Sequence, residues 1–432
     1  MSVHFVRDIT YFARHQPALL LSNLALFLMP AMATTVKSGF TYPSALLTIV
    51  GTIIFVRAEN KGGLPADARW LFLSFFPLAL CWLLDDLISG LGGRGVEKPL
   101  RILLTLPALW YLARTPPNHI WLWLGVSLGA IAGCIQAVHQ FFFMGMERAQ
   151  GAMFSIHFGD LVLMLGLMGL CAWNLPFSKY RWIFRVWLLL GCFSGLLASI
   201  LSGTRGAWLG LCVIALVYMT YLLLSGRYRL LTSLVTISLI ITVVIFNIPT
   251  LRVETRIKEA TTQFELFNAN NTAYNSVGAR LQMWQQSWKL YRERPLLGWQ
   301  RQGYLEQQQL GIERKQLDPR LAQYDHPHNE IFNAAAKQGT IGLTALFIAY
   351  CGPFWLFMRI FRTAYNPALR AVSAAGMLVP IAYFGFGLTE AFLPHVSVIT
   401  VYVYFLSLLL GTTWGLQWAR NSSDEISIDH SP

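Results

Sequence analysis

WLWLGVSLGAIAGCIQAV, from Trp121 to Val138, carries no charged side chain. At 1.5 Å per residue a helix of this length nearly crosses a hydrocarbon core about 30 Å thick. Comparable apolar runs of 15–25 residues recur along the 432-residue chain, which is 55% hydrophobic and 12% charged, with a mean hydropathy of +0.48. Soluble domains carry about 25% charged residues. The pattern predicts an all-α integral membrane protein with about twelve spans, at 17–34, 42–56, 70–84, 99–113, 119–143, 154–174, 182–201, 206–225, 230–248, 331–357, 368–389 and 396–416. The first run has no small-residue cleavage site and counts as a span, not a removed leader.

The net charge of +12 follows from loop chemistry and does not imply a nucleic-acid partner. Short segments on the N-terminal side hold fifteen Lys and Arg, against six on the other side: Lys37, Arg94, Lys98, Arg101, Arg148 and Arg205. Basic residues accumulate in cytoplasmic loops, so both termini are expected in the cytoplasm. Cys81, Cys134, Cys171, Cys192, Cys212 and Cys351 lie in or beside apolar runs without metal-ligand spacing, as small core residues do.

This span count divides the chain into a bundle of nine spans (1–248), a large outer loop (249–330), three further spans (331–416) and a polar tail (417–432). The long loop between spans 9 and 10 has a helical pattern. Leu281, Trp284, Trp288 and Tyr291 recur on one helical face, predicting a helix over about 278–292 that Pro295 and Gly298 end. Residues 253–267 mix charge and apolar groups as an interfacial helix would, and Asn268–Ser276 is loop-like.

Polar groups gather toward the outer side. His139, His157 and Asp160 lie near outer span ends, Arg205 occupies the tight turn SGTRGAW, and Glu390 and His395 lie between the last two spans. Singly, such residues have ordinary explanations: helix packing for His139 and His157, an ion pair for Asp160, lipid headgroups for Arg148, Lys98 and Arg101. Arg205 stands apart, because flanking Ser202, Gly203 and Gly206 leave an open turn suited to phosphate. A transporter would need polar groups near the midplane, and few are there. The densest cluster is YDHPHNEIFNAAAKQGTIG (Tyr324–Gly342), with Asp325, His326, His328, Asn329 and Glu330 ahead of a hydrophobic helix. No metal-binding spacing follows His326 and His328, so no metal is expected. A histidine is the natural base for a hydroxyl near neutral pH.

Three motifs resemble those of the O-antigen ligases. His328, Asn329, Gly339 and Gly342 match the signature that opens the tenth span; Ser202–Gly206 resembles the Ser-x-x-Arg-Gly turn; Arg280, Trp284, Pro295 and Gly298 match the Arg-x-x-x-Trp…Pro-x-x-Gly block. Gln300 stands where the family usually has glycine. The resemblance implies a glycosyltransferase of the bacterial inner membrane that acts at its periplasmic face without a cofactor. It implies a donor glycan on undecaprenyl pyrophosphate and a lipid A-core acceptor among the membrane lipids. Within that scheme His328 is the expected base. Arg205 and Arg280 are the expected pyrophosphate clamps, and His326, Asn329, Arg148 and Asp160 the expected substrate contacts. An O-antigen polymerase, using the same donor, is the alternative; a lipid-linked sugar flippase or a non-catalytic scaffold would leave the three motifs without a purpose.

Overall fold

A computed structural model describes residues 17–58, 62–90, 95–176, 180–224 and 276–428, with isolated helical residues at 228–229, 231–232, 235–236 and 262. Among the described residues every regular element is helical. Among the described residues seven helices are long and apolar enough to cross a membrane, and Pro17–Met32, Thr41–Arg57 and Gly206–Thr220 are shorter apolar helices. The expected span at 230–248, the expected interfacial helix at 253–267 and the loop before Ser276 lie outside the described residues.

The chain divides into two compact units. The first is Met1–Gly210, Thr344–Phe386 and Phe392–Pro432; the second is Leu211–Leu343 and Gly387–Ala391.

In the first unit the helices are α1 (Pro17–Met32), α2 (Thr41–Arg57), α3 (Ala66–Ile88), α4 (Glu97–Leu103), α5 (Thr105–Leu112), α6 (His119–Val138), α7 (Ser155–Gly169) and α8 (Arg181–Leu201). It also holds the start of α9 (Arg205–Leu224), the later part of α12 (Glu330–Arg362), α13 (Pro367–Gly387) up to Phe386, and α14 (Val396–Ile428). Small residues let these helices approach closely, as helices do where water cannot drive them together. A Cβ on Gly129 of α6 would lie 2.2 Å from the Pro30 carbonyl oxygen of α1. The apolar window of α14 is 89% buried. Its Tyr402 hydroxyl donates to the Ala349 carbonyl at 2.8 Å, and Tyr404 shares a 2.7 Å hydrogen bond with Thr48.

Two span expectations need correction. The run at 99–113 is two short helices, α4 and α5, meeting at Leu104. Pro107 has no N–H for the Leu103 carbonyl, and the Thr105 hydroxyl takes the Ile102 carbonyl at 2.6 Å. α14 continues to Ile428, so the stretch expected as a polar tail prolongs that helix.

The second unit holds α10 (Ser276–Glu293), α11 (Gln300–Glu313), a 3₁₀ turn (Pro319–Gln323) and the first turns of α12. α10 covers the helix expected from the sequence, but its buried stripe is Ala279, Met283, Ser287 and Leu290. The expected stripe of Leu281, Trp284, Trp288 and Tyr291 is displaced from it, and Trp288 is 51% exposed. Ala279 and Met283 pack with Leu317 and Leu321, and Leu290 packs with Tyr304 and Ala336. The small and medium side chains fit these two neighbours; the large aromatics stay at the edges.

α12 breaks at Gly339, whose φ of +66° and ψ of −155° suit glycine alone. A broken turn leaves the Ala336 carbonyl and the N–H groups of Thr340 and Ile341 without helical partners. The segment after α10 supplies all three. Trp299 N–H donates to Ala336 at 2.9 Å, while Thr340 and Ile341 donate to the Pro295 and Leu296 carbonyls at 2.7 and 3.3 Å. The two glycine motifs are therefore halves of one joint. Gly339 is a backbone break that receives the Pro295–Gly298 turn.

Candidate functional site

The joint positions the polar cluster. Lys337, two turns into α12 and only 7% exposed, donates to the Asp325 carbonyl at 2.8 Å. Arg301 of α11 pairs with the Asp325 carboxylate at 3.1 Å. Gln308 of α11, 5% exposed, donates to the Tyr324 carbonyl at 3.0 Å. Trp284 of α10 stacks on Phe332 and donates to the Pro327 carbonyl at 2.9 Å. Three neighbours thus hold the backbone from Tyr324 to Pro327, and Arg301 holds the Asp325 side chain.

His328 has a φ of +48°, in the left-handed region that histidine enters more readily than most side chains. The conformation interrupts the chain between Pro327 and the helix. Asn329 caps α12: its side-chain oxygen accepts from Phe332 N–H at 3.1 Å and its amide donates to the Leu388 carbonyl at 2.9 Å. It is 6% exposed. Its hydrogen bonds serve the fold, and His328 is freed from capping.

The Gly387–Ala391 segment brings Glu390 to this loop. Glu390 is 2% exposed. One carboxylate oxygen lies 2.7 Å from His328 Nδ1 and the other 3.3 Å from His326 Nε2. His328 N–H points to His326 Nδ1 at 3.3 Å. That nitrogen accepts, so the hydrogen-bond network assigns the His326 proton to Nε2, facing Glu390. Burial is the largest influence on His326 and lowers its pKa to about 4; His328 and Lys337 push the same way, and Glu390 and Asp325 oppose them. His326 is therefore neutral near pH 7. Burial likewise raises the neighbouring Tyr304 hydroxyl to about 12.

The donor atoms of His326, His328 and Glu390 lie within 4.8 Å of one another, close enough to surround a divalent cation. The 2.7 Å contact joins the His328 ring directly to the carboxylate, and a histidine so placed can take part in proton transfer.

The other expected site residues are dispersed. Arg280 belongs to the same unit, half-buried in the first turn of α10. Arg148, Asp160 and Arg205 belong to the first unit. Asp160 is fully buried in α7. Arg148 is exposed at the surface, yet its Nε donates to the Ser202 carbonyl at 2.8 Å, at the C-terminal end of α8 where a cation is favoured. Ser202 and Thr204 join hydroxyls at 2.8 Å, and Thr204 donates to the Ser155 carbonyl at 3.0 Å. Gly203, at a φ of +64°, completes the turn, and Arg205 begins α9 directly after it.

Residues 190–348 match the family model described as O-antigen ligase. Over that segment, less than half of the chain, the sequence is similar to the O-antigen ligases. The matched stretch includes the Ser202–Gly206 turn, Arg280, the Pro295–Gly298 turn and both histidines, while Glu390 lies outside it. An uncharacterized protein of Haemophilus influenzae is 24% identical over 377 residues, covering 87% of this chain and 94% of that one. Gln300, which stands where the resemblance expects a glycine, has a φ of +56°, a backbone that glycine adopts without strain.

Sequence reasoning noticed Glu390 as a polar group between the last two spans but did not join it to the histidines, and it overlooked Lys337. A carboxylate between apolar runs was the available signal for Glu390. Lys337 sits in a helical stretch where a lone lysine carries none.

Proposed function

We propose that the protein is an O-antigen ligase. It transfers a glycan from undecaprenyl pyrophosphate to a sugar hydroxyl of lipid A-core. The observation that carries this reading is His328, held by a ring nitrogen at the head of α12 within the superfamily segment. The acceptor oxygen attacks the anomeric carbon as the bond from that carbon to the pyrophosphate oxygen breaks. The acceptor proton passes to His328, the lipid pyrophosphate departs, and the anomeric configuration inverts. Arg205 and Arg280 steady the charge developing on the leaving group, as positioned cations do most effectively away from bulk water. His326, Asn329, Arg148 and Asp160 shape the substrate surface, Asn329 and Arg148 by holding backbone. A pyrophosphate leaving group is already activated, and two arginines can replace a divalent cation. The chemistry therefore needs neither nucleotide nor metal.

The charge bias supports a multi-pass inner-membrane protein with both termini cytoplasmic, about twelve spans and a periplasmic site. The domain division at 1–248, 249–330, 331–416 and 417–432 belongs to the same proposal.

The test is reconstitution. Purified protein in liposomes receives lipid-linked glycan and lipid A-core with EDTA and no nucleotide, and the products are resolved on a gel. Glycan on lipid A-core is the expected product. Elongated glycan left on the carrier lipid would instead indicate a polymerase. Transfer that requires added Mg²⁺ or Mn²⁺ would overturn the metal-free chemistry.

A further inference from the structure

We propose that Glu390 is a positioning residue that fixes the His328 ring with its proton on Nδ1, leaving Nε2 bare to take the acceptor proton. The inference rests on the transfer reading for its kinetic consequences and on geometry alone for the ring state.

Burying a carboxylate is costly unless donors compensate it. Glu390 has 2% exposure and faces two ring nitrogens, one on each oxygen. The His326 proton is already assigned to Nε2, because its Nδ1 receives the His328 N–H. His326 therefore donates to one carboxylate oxygen. The other oxygen, 2.7 Å from His328 Nδ1, is left to accept from His328. With Nδ1 protonated, the lone pair of a neutral His328 is on Nε2, on the ring edge away from Glu390. The carboxylate also favours the imidazolium that forms after proton transfer, since opposite charges then face each other. His326 acts as a brace: it occupies the second carboxylate oxygen and takes the His328 backbone N–H.

Only a group that accepts on both sides satisfies both rings. A carboxamide accepts through one oxygen and donates through its nitrogen. In Glu390→Gln one histidine must therefore become an acceptor. The backbone N–H at Nδ1 pins His326, so His328 flips to the Nε2–H form and its base is lost.

The experiment uses full-length protein with ¹⁵N-labelled histidine in nanodiscs, and a His328→Asn sample to assign the His328 signals. Long-range ¹H–¹⁵N spectra at neutral pH should show His328 with a protonated Nδ1 and a bare Nε2, and the reverse in Glu390→Gln. In the liposome assay Glu390→Gln should lose about 10²- to 10⁴-fold in kcat with KM unchanged. Glu390→Asp, an acceptor on both sides with shorter reach, should recover part of the loss. An Nε2–H form in the wild-type protein, or wild-type kcat in Glu390→Gln, would overturn the proposal. If Glu390→Gln fails to fold, the wild-type spectrum alone decides. A wild-type protein with the expected ring state but no transferase activity would overturn the ligase reading and leave the assignment of Glu390 standing.

Discussion

Replacing Gly339 with alanine tests the joint that supports the site. Two costs can be worked out. The backbone there has φ +66° and ψ −155°, a region whose occupation by other residues costs about 1–3 kcal/mol. The new Cβ would also stand 2.4 Å from the Leu296 carbonyl oxygen and 2.7 Å from the Gly298 nitrogen. The Pro295–Gly298 turn must then move, loosening one or two of its hydrogen bonds with α12 at about 1 kcal/mol each. The sum is about 2–5 kcal/mol, a large part of the roughly 5–15 kcal/mol that holds a typical protein folded. Gly303→Ala is the control. Its Cβ would meet only Trp299 atoms at 3.5 and 3.6 Å, and exchanging a helical glycine for alanine should stabilise by about 0.5–1 kcal/mol. Thermal unfolding in detergent, with hydrogen exchange at Trp299 and Thr340, reads both variants. Faster exchange in Gly339→Ala and unchanged or slower exchange in Gly303→Ala are expected. A Gly339→Ala protein as stable as wild type, with both amides protected, would refute the joint.

His328→Asn should abolish transfer and lower the melting temperature, because the buried Glu390 loses a donor while the left-handed backbone and the Asn329 cap are kept; substantial residual transfer, measured on the gel, would remove His328 as the base. The depressed pKa of His326 sets an acid limit. Its contribution is complete above pH 6.5, declines as pH falls toward 4 and totals about 3 kcal/mol; melting curves across that range should show the decline, and His326→Gln should flatten it. Gln300→Gly should leave stability within about 1 kcal/mol of wild type, on the stabilising side, since relief of a left-handed glutamine outweighs the flexibility added to the unfolded chain; a clear loss in denaturant melts would show that the 2.7 Å hydrogen bond from Gln300 to Leu297 matters more.

What the sequence disclosed and what it hid divide along physical lines. Hydropathy finds apolar helices because burial in lipid is a property of local composition, and the cluster at Asp325–Glu330 stands out because six adjacent positions carry it. The α4–α5 break was concealed because Pro107 interrupts a run that stays largely apolar on both sides of it. On α10 the large aromatics dominate any hydrophobic pattern, whereas the buried stripe is chosen by how small residues such as Ala279 and Ser287 fit α11 and α12. Gly339 was legible only as a motif position, because a helical period does not encode ψ. The pairing of Glu390 with His328 spans 62 residues, beyond any local pattern.

That separation also bears on synthesis. A ribosome finishes His326 and His328 well before it reaches Leu388 and Glu390. Until then His326 Nε2, His328 Nδ1 and the Asn329 side-chain amide lack the partners on Glu390 and Leu388 that they hold in the finished protein. The histidine loop is thus completed only after α13 has been made, and a product truncated after α12 would carry the whole matched segment yet hold an unfinished site.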